Sequence, residues 1–500
     1  MDLLQLPDVD SLLVTADNPA RVDLPGMDHA RCAALHNYLV HYAWVAEGRA
    51  PASLHSNNNT FFNAHGAVAE ALRPRLDPSL AAFLAAAMLP PDANTPKRAP
   101  FFFWANGLSE PDFLFDNGLA DLFDQPPDSL VCLYYPNIGQ GGAPGGGVIY
   151  HQDYHRAAVF MNMVDYDFAL PIEAHLALWH PLETVLSNWI DLLRLGKITA
   201  SPRDAPALFG SEKIGPWEWR PYSEAQVAAC VGAWDRLCGA IEARVVLLSP
   251  PGSTAATTTT TTTTINATEP EPEPLLSPAA LDAALVPEPC FARAFLTRAR
   301  RPQFRCIAPG LLLPPRDALE FAAAQPFTRL PRAPHAIPPV CLFSATRGEL
   351  EADLTGSLSP FCNNFRAWSA DSPVPSRVSA GLYSESVERN DFDNTEEGFR
   401  LLLPYGLEGY VWDPSAGARK SDGSPVRRGD VAGLFQHGYK PFGGDYYRPQ
   451  RLERLFDCWR RLVDEGVWSV GPQGVEGTID TFREADTAAR MRDYIISPTW

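Results

Sequence analysis

A polar run of threonine, proline and glutamate divides this chain of 500 residues. Residues 250–274 begin with Pro-Pro-Gly-Ser, contain eight consecutive threonines at positions 257–264, and end in alternating glutamate and proline. Such a composition cannot bury enough apolar surface to offset the entropy of ordering the backbone. The sequence therefore predicts an N-terminal α/β part at 1–249, a disordered insertion at 250–275 and a C-terminal α/β part at 276–500. The insertion either separates two domains or interrupts one fold.

The composition of the whole chain is that of a globular protein. It is 46% hydrophobic and 20% charged, which is enough to form a sizeable core. The net charge of −18 excludes a generally basic nucleic-acid binder and confines phosphate binding to a local patch. No apolar run reaches the ~18 residues of a membrane span, the first residues lack the core of a signal peptide, and no cysteines form a CxxC pair. We therefore expect a cytoplasmic protein with reduced cysteines and no membrane association.

Hydrophobic periodicity predicts helices and strands in both halves, which indicates the α/β class. The predicted helices cover positions 27–46, 67–88 with a break near Pro78, 181–195, a segment that begins at the capping box of Ser223 and Gln226, and 449–465. The predicted strands cover 101–104, 130–135, 148–150, 340–343, 378–382 and 399–403. A short helix at 117–123 between the first two strands would make a parallel βαβ unit.

The densest group of chemically active side chains follows a predicted strand. If the backbone stays extended, His151, Asp153 and His155 share one face. Tyr150 and Tyr154 then lie on the opposite face. Such a group can transfer protons, and a carboxylate such as that of Asp153 can bind a guanidinium group with both oxygens. The same pattern is also typical of a hydrogen-bonded polar cluster at a strand end.

The His-x-Asp spacing is also how iron oxygenases with two histidines and one carboxylate present two of their metal ligands. His151 and Asp153 would supply these two ligands, and His437 would supply the third. Arg448 would then bind the carboxylate of a keto acid. An iron(II)- and 2-oxoglutarate-dependent oxygenase is therefore the alternative function, although the two histidines lie in different halves of the chain.

Two serines follow predicted strands closely. Ser109 comes shortly after the strand at 101–104, and Ser344 comes directly after the strand at 340–343. A hydroxyl group at the carboxyl end of a strand is well placed for acyl transfer in an open α/β sheet. Neither serine lies in a G-x-S-x-G motif, so a hydrolase triad is not indicated, and a serine in a turn more often caps a helix.

An acid-free run rich in arginine interrupts this acidic chain. Positions 291–316 contain no aspartate or glutamate. Their arginines are Arg293, Arg298, Arg300, Arg301, Arg305 and Arg316. The forked guanidinium group favours phosphate and carboxylate recognition, so the run predicts a phosphate-binding patch. The alternative is that these arginines pair with the surplus carboxylates of the protein surface.

Four segments together carry a family resemblance. They are LYYPNIGQ at 133–140, GVIYHQDYHRAA at 147–158, WHPLETVLSNWI at 179–190 and HGYKPFGGDYYR at 437–448. The chain resembles the fungal arginine-containing cyclodipeptide synthases, and the similarity extends over most of the sequence on both sides of the insertion.

The resemblance implies a Rossmann-like domain akin to class I aminoacyl-tRNA synthetases, with added helices. It implies a tRNA-dependent synthase that joins arginine from arginyl-tRNA to the aminoacyl group of a second aminoacyl-tRNA, without ATP or another cofactor. Ser109 is the first positional candidate for the nucleophile that bacterial members use, and Ser344 is the second. Tyr150, His151, Asp153 and His155 would include the proton-transfer group, and the arginine run at 291–316 would bind tRNA phosphate. The Tyr-x-x-x-Glu pattern of the bacterial members does not occur in this sequence.

Overall fold

The computed structural model describes residues 6–54, 59–90, 101–115, 120–121, 123–136, 147–160, 171–207, 213–248, 273–351, 353–354, 359–362, 374–390, 394–409, 416–438, 441–443 and 449–498. Its α-helices are α1 His29–Ala46, α2 Pro51–Leu54, α3 Phe61–Leu72, α4 Pro78–Ala86, α5 Pro111–Leu114, α6 Leu182–Arg194, α7 Glu224–Leu248, α8 Pro278–Ala283, α9 Phe291–Arg298, α10 Ala318–Ala323 and α11 Leu452–Asp464. The main helices predicted from the sequence are confirmed. Most of their ends agree with the prediction to within a few residues.

The strands of the described residues lie in four sheets. They are β1 Ala105–Leu108, β2 Leu130–Pro136, β3 Gly147–His151, β4 Arg156–Phe160, β5 Ile198–Ala200, β6 Lys213–Ile214, β7 Trp217–Trp219, β8 Cys306–Ala308, β9 Leu311–Leu312, β10 Ala336–Ile337, β11 Cys341–Glu351, β12 Arg377–Ser384, β13 Val387–Glu388, β14 Phe399–Leu402, β15 Val470–Gly471 and β16 Gly474–Val475. The sheet orders are β1-β2-β3-β4, β5-β7-β6, β10-β13 and β14-β12-β11-β9-β8-β16-β15. The mixed α/β class is therefore confirmed.

The first sheet is antiparallel throughout, so the predicted βαβ unit is wrong. β1 runs antiparallel to β2, and β2 and β3 continue the antiparallel pattern to β4. The aromatic run at 101–104 is not a strand; its backbone turns, with the amide of Phe102 donating to the carbonyl of Ala105 at 2.8 Å. Among the described strands the single parallel pair is β8 and β16. A Rossmann-like sheet, which needs several parallel neighbours, stays a prediction.

Aromatic side chains fill the core of the N-terminal part, called here the first core. It lies between one face of the first sheet and helices α1, α4 and α6. The rings of Phe102 and Trp189 stack with their centroids 4.6 Å apart, and Trp104 packs against both. Helix α6 contributes side chains to this core because its apolar positions recur on one face of the helix. These buried positions are Leu182, Val185, Leu186, Trp189, Ile190 and Leu193.

The second core does not begin at the insertion. Helix α7, which precedes the insertion in the chain, packs against α11 and against the seven-stranded sheet, with the ring of Trp234 stacked on that of Phe343 at 5.3 Å. The predicted capping box starts α7: the amide of Gln226 donates to Ser223 Oγ at 3.1 Å, and the amide of Ser223 donates to Gln226 Oε1 at 3.0 Å. Along the chain the first core ends at Trp219, apart from Phe442, which also packs into it, and the second core begins at Tyr222, before the predicted boundary at 249.

A buried ion pair joins the two cores. Lys197 follows α6, and its Nζ donates to Glu397 Oε2 at 2.9 Å and to the carbonyl of Pro221 at 2.7 Å. Gln226 Nε2 donates to the other carboxylate oxygen of Glu397 at 2.8 Å. Both charged side chains are almost completely buried. The charges are compensated within the interior, which is the condition for burying an ion pair at a tolerable cost.

Candidate active site

The predicted polar segment folds back on itself. β3 ends at His151 and β4 begins at Arg156, and these two residues are paired across the hairpin. Residues 152–155 form the turn, and His155 has a left-handed backbone with φ of 51°. The prediction that His151, Asp153 and His155 share one face is therefore wrong, because the alternation of an extended strand stops at the turn.

The turn brings His155 to the side chain of Tyr150. The phenol oxygen of Tyr150 lies 3.3 Å from Nδ1 of His155. Tyr150 belongs to the first core and is fully buried, whereas His155 is half-buried. Burial raises the pKa of Tyr150, so the phenol keeps its proton at neutral pH. The pair therefore connects a neutral interior hydroxyl to an imidazole that reaches the surface.

Two further titratable side chains lie behind Tyr150 and were not singled out from the sequence. Cys32 on α1 donates from Sγ to Glu183 Oε2 on α6 at 3.5 Å, and both side chains are buried. Burial raises the pKa of Glu183 and raises that of Cys32 well above its ordinary value. Glu183 stands in the first turn of its helix, where a carboxylate usually faces solvent and complements the helix dipole. Its burial therefore follows from the packing of α6 on α1.

A glutamine fixes the turn to the start of α4. Gln152 Nε2 donates to the carbonyls of Arg75 at 3.0 Å and Asp128 at 2.6 Å, and its Oε1 accepts from the amide of Asp77 at 2.6 Å. Asp77 in turn caps α4 by accepting from the amide of Ser79 at 2.8 Å. Burial is the main cause of the raised pKa of Tyr150, and the carboxylate of Asp77 helps to raise it. The turn and the helix cap thus form one connected polar network around Tyr150.

His151 lies on the opposite face of the sheet. Its Nδ1 accepts the amide of Asp153 at 3.2 Å and that of Tyr154 at 3.4 Å, which leaves the proton on Nε2, 3.2 Å from the side-chain oxygen of Gln125. Its ring stacks on Tyr154 at 4.1 Å. Burial lowers the pKa of His151, so the ring is neutral. His151 is a hydrogen-bonded histidine at a strand end, and Asp153 beside it is exposed.

The three ligand residues predicted for the alternative iron site do not come together in the part of the chain that the structure describes. Within the described residues, no group of three or more histidine, cysteine, aspartate or glutamate side chains is placed to hold a metal ion. His151, Asp153 and His437 are all described and do not form such a group. Arg448, the predicted keto-acid ligand, lies outside the described residues.

The two serine candidates do not reach the Tyr150–His155 pair. Ser109 follows β1 and is fully buried, with its hydroxyl donating to Cys132 Sγ at 3.5 Å. Cys132 lies on the same face of the sheet as His151, whereas Tyr150 packs into the first core on the opposite face. Ser344 lies inside β11 rather than after it, because that strand extends to Glu351. The strand predicted at 340–343 was therefore too short, and the prediction that Ser344 follows it is wrong.

Most of the arginines of the 291–316 run have partners within the protein. Arg293 contacts Asp282 at 2.6 Å, Arg298 contacts Glu224 at 2.5 Å, and Arg300 contacts Glu242 at 2.7 Å. Arg301 donates to the carbonyl of Pro314 at 3.0 Å, and Arg305 is exposed. These contacts favour the alternative stated above, in which the run is neutralised by carboxylates that lie elsewhere in the sequence.

Comparison with known proteins adds no relative: no family model, no curated protein and no solved structure matches the chain. The described helices include none that is both long enough and apolar enough to cross a membrane.

The candidate site consists of a neutral tyrosine, Tyr150, in contact with a half-buried histidine, His155, with the buried thiol of Cys32 and the buried carboxyl group of Glu183 behind them. Such an arrangement can move a proton between the interior and a bound substrate.

Proposed function

We propose that the chain is a tRNA-dependent aminoacyltransferase that forms a cyclo(Arg-X) dipeptide from arginyl-tRNA and a second aminoacyl-tRNA. The substrate class rests on the four segments that resemble the fungal cyclodipeptide synthases. The single structural observation that supports the chemistry is the 3.3 Å contact between the Tyr150 hydroxyl and His155. The oxygenase is not proposed, since its described ligand residues do not come together.

The reaction needs proton transfer more than it needs activation. An aminoacyl ester is already activated, so the enzyme must position two esters, remove a proton from an attacking amine and return one to the leaving ribose hydroxyl. The half-buried imidazole of His155 accepts the proton of the amine and returns a proton to the leaving ribose oxygen, while the neutral phenol of the buried Tyr150 hydrogen-bonds Nδ1 of His155 and holds the ring in place. Each amide bond forms as one ester C–O bond breaks, and two such steps close the ring.

The backbone of His155 is consistent with a functional role. A histidine with positive φ is held in a sparsely populated conformation, which costs about 1–3 kcal/mol and persists where the surroundings impose it. Here the surroundings are the bonds of Gln152, which fix the turn on both sides. The conformation directs the imidazole toward Tyr150.

The nucleophile is not assigned to Ser109. Its hydroxyl is fully buried and faces a thiol rather than a base. The proposed route is therefore direct attack of one aminoacyl amine on the ester of the other. Product formation by Ser109→Ala tests this point, since a covalent serine route would lose the product.

The test is expression of the full chain in a bacterial host, with mass spectrometry of the medium for cyclo(Arg-X) products. We expect His155→Gln to lower product formation by about 10²–10⁴-fold, the usual contribution of a proton-transfer group, and Tyr150→Phe, which removes the hydrogen-bond partner of His155, to lower it by less. The matched control is Tyr154→Phe, since Tyr154 is an exposed neighbour. Absence of every arginine-containing cyclic dipeptide from folded wild-type protein would refute the proposal.

A further inference from the structure

A cysteine, an arginine and a glutamate form a hydrogen-bonded cluster at the edge of the seven-stranded sheet. Arg400 on the edge strand β14 donates from Nε to Glu385 Oε2 at 2.6 Å and from a terminal nitrogen to Cys362 Sγ at 2.9 Å. Glu385 Oε1 accepts the backbone amides of Cys362 at 2.9 Å and Ser386 at 2.8 Å. The cysteine is therefore held at its amide by the carboxylate and at its sulfur by the guanidinium.

The charges of this cluster favour a thiolate. The carboxylate of Glu385 is occupied by Arg400 and by two amides, so the guanidinium faces the sulfur directly. Burial by itself lowers the pKa of Arg400, but Glu385 and Cys362 raise it above its ordinary value. Lys420 lies near Arg400; burial and the charge of Arg400 lower the pKa of Lys420, while Asp430 and Asp422 raise it. A cation next to a sulfur lowers the free energy of the thiolate relative to the thiol.

The arginine contact of Cys362, at 2.9 Å, is shorter than that of Cys458, whose sulfur lies 3.7 Å from a terminal nitrogen of Arg461. Burial raises the pKa of seven of the other cysteines: Cys32, Cys230, Cys238, Cys290, Cys306, Cys341 and Cys458. Cys362 is half-buried, unlike most of the other cysteines, which are buried. Cys306 is half-buried as well and serves as the internal reference.

We propose that Cys362 is a reactive thiolate at neutral pH and the site at which a peroxide oxidises this chain. The thiolate attacks one oxygen of hydrogen peroxide, an S–O bond forms, and the O–O bond breaks. The sulfur is oxidised to a sulfenic acid, and the departing hydroxide takes a proton to become water. The proposal uses no residue of the transferase site and is independent of the proposed function.

Limited alkylation of the native full chain with iodoacetamide, read by peptide mapping, tests the thiolate. At about pH 6 we expect Cys362 to react at least about tenfold faster than Cys306, since a difference of one in pKa changes the thiolate fraction tenfold. Trapping with dimedone after addition of hydrogen peroxide should label Cys362 before any other cysteine. Equal alkylation of Cys362 and Cys306 at this pH, or dimedone labelling elsewhere, would overturn the proposal.

The role of the arginine is tested by Arg400→Gln, which should reduce the alkylation rate of Cys362 to that of Cys306. Arg377→Gln on the neighbouring strand removes an exposed arginine and is the matched control. An unchanged rate at Cys362 in folded Arg400→Gln would contradict the proposal. Because loss of Arg400 leaves Glu385 buried and can prevent folding, the pH profile of alkylation in the wild-type chain gives a second measurement. Its midpoint should lie below the ordinary thiol pKa of about 8.5.

Discussion

The ammonium group of Lys197 and the carboxylate of Glu397, 200 residues apart in the chain, lie 2.9 Å from each other in the interior. One belongs to the segment after α6 and the other to the segment before β14, so the pair links the first core to the second. The insertion at 250–275 falls between these two residues in sequence. The parts of the chain on its two sides are therefore joined by a buried contact.

Removing one partner of this pair should destabilise the protein strongly. We expect Lys197→Met to lower the free energy of unfolding by about 3–5 kcal/mol, because Glu397 would be left as an uncompensated buried charge. The double variant Lys197→Met, Glu397→Gln should recover part of the loss. Urea unfolding measures both, with Arg73→Gln, in an exposed ion pair with Glu70, as the control. A loss no larger than that of the control would contradict a role for the pair in stability.

Glu183 should make stability depend on pH. Burial raises its folded-state pKa above the ordinary 4.5, so the folded state favours the protonated form. Its stabilising contribution is therefore fully present below about pH 4.5 and is lost as the pH rises through the raised folded pKa. Glu183→Gln stays neutral, so its free energy of unfolding should rise relative to that of wild type from pH 5 to pH 8. The rise should be about 1.4 kcal/mol for each tenfold by which folding weakens the acidity of Glu183. Urea unfolding across this range measures the difference; a constant difference would mean that Glu183 ionises normally.

The paired arginines should contribute little to tRNA binding. Arg298 and Arg300 contact Glu224 and Glu242, so their charges are already compensated. If the protein binds tRNA as proposed, Arg298→Gln with Arg300→Gln should leave the slope of log affinity against log salt unchanged. A slope flattened by roughly 1.4, at about 0.7 per phosphate contact, would instead assign both arginines to tRNA. Filter binding at several salt concentrations distinguishes these outcomes.

Shortening the threonine-rich segment should be tolerated. Deletion of residues 254–270 should leave the melting temperature and product formation nearly unchanged, because loop-closure entropy varies slowly with loop length. The deletion stops before Glu273, whose carbonyl accepts the amide of Arg301 at 2.7 Å and whose carboxylate pairs with Arg316. A variant that also removes Glu273 is the comparison and should be less stable. A large loss in the shorter deletion would show that the segment belongs to the fold.

Local patterns alone determined much of the secondary structure. The helix predicted at 181–195 forms as Leu182–Arg194, and the capping box of Ser223 and Gln226 starts α7 as expected. These predictions succeed because helix periodicity and capping depend on residues three and four positions apart. The strand at 101–104 was misplaced, because a run of large apolar side chains looks the same whether it is extended or wrapped around a core.

The candidate site was set by tertiary structure. The sequence pattern singled out Tyr150 and His155, but only the turn after β3 decided that they touch and that His151 faces the other way. Cys32, Asp77 and Glu183 come from separate helices and their caps, so no spacing in the sequence relates them. The arginine run shows the same limit: the sequence shows its positive charge, yet the carboxylate partners of Arg298 and Arg300 lie 74 and 58 residues away in the chain. Which charges are compensated depends on distances through space, and packing alone fixes those distances.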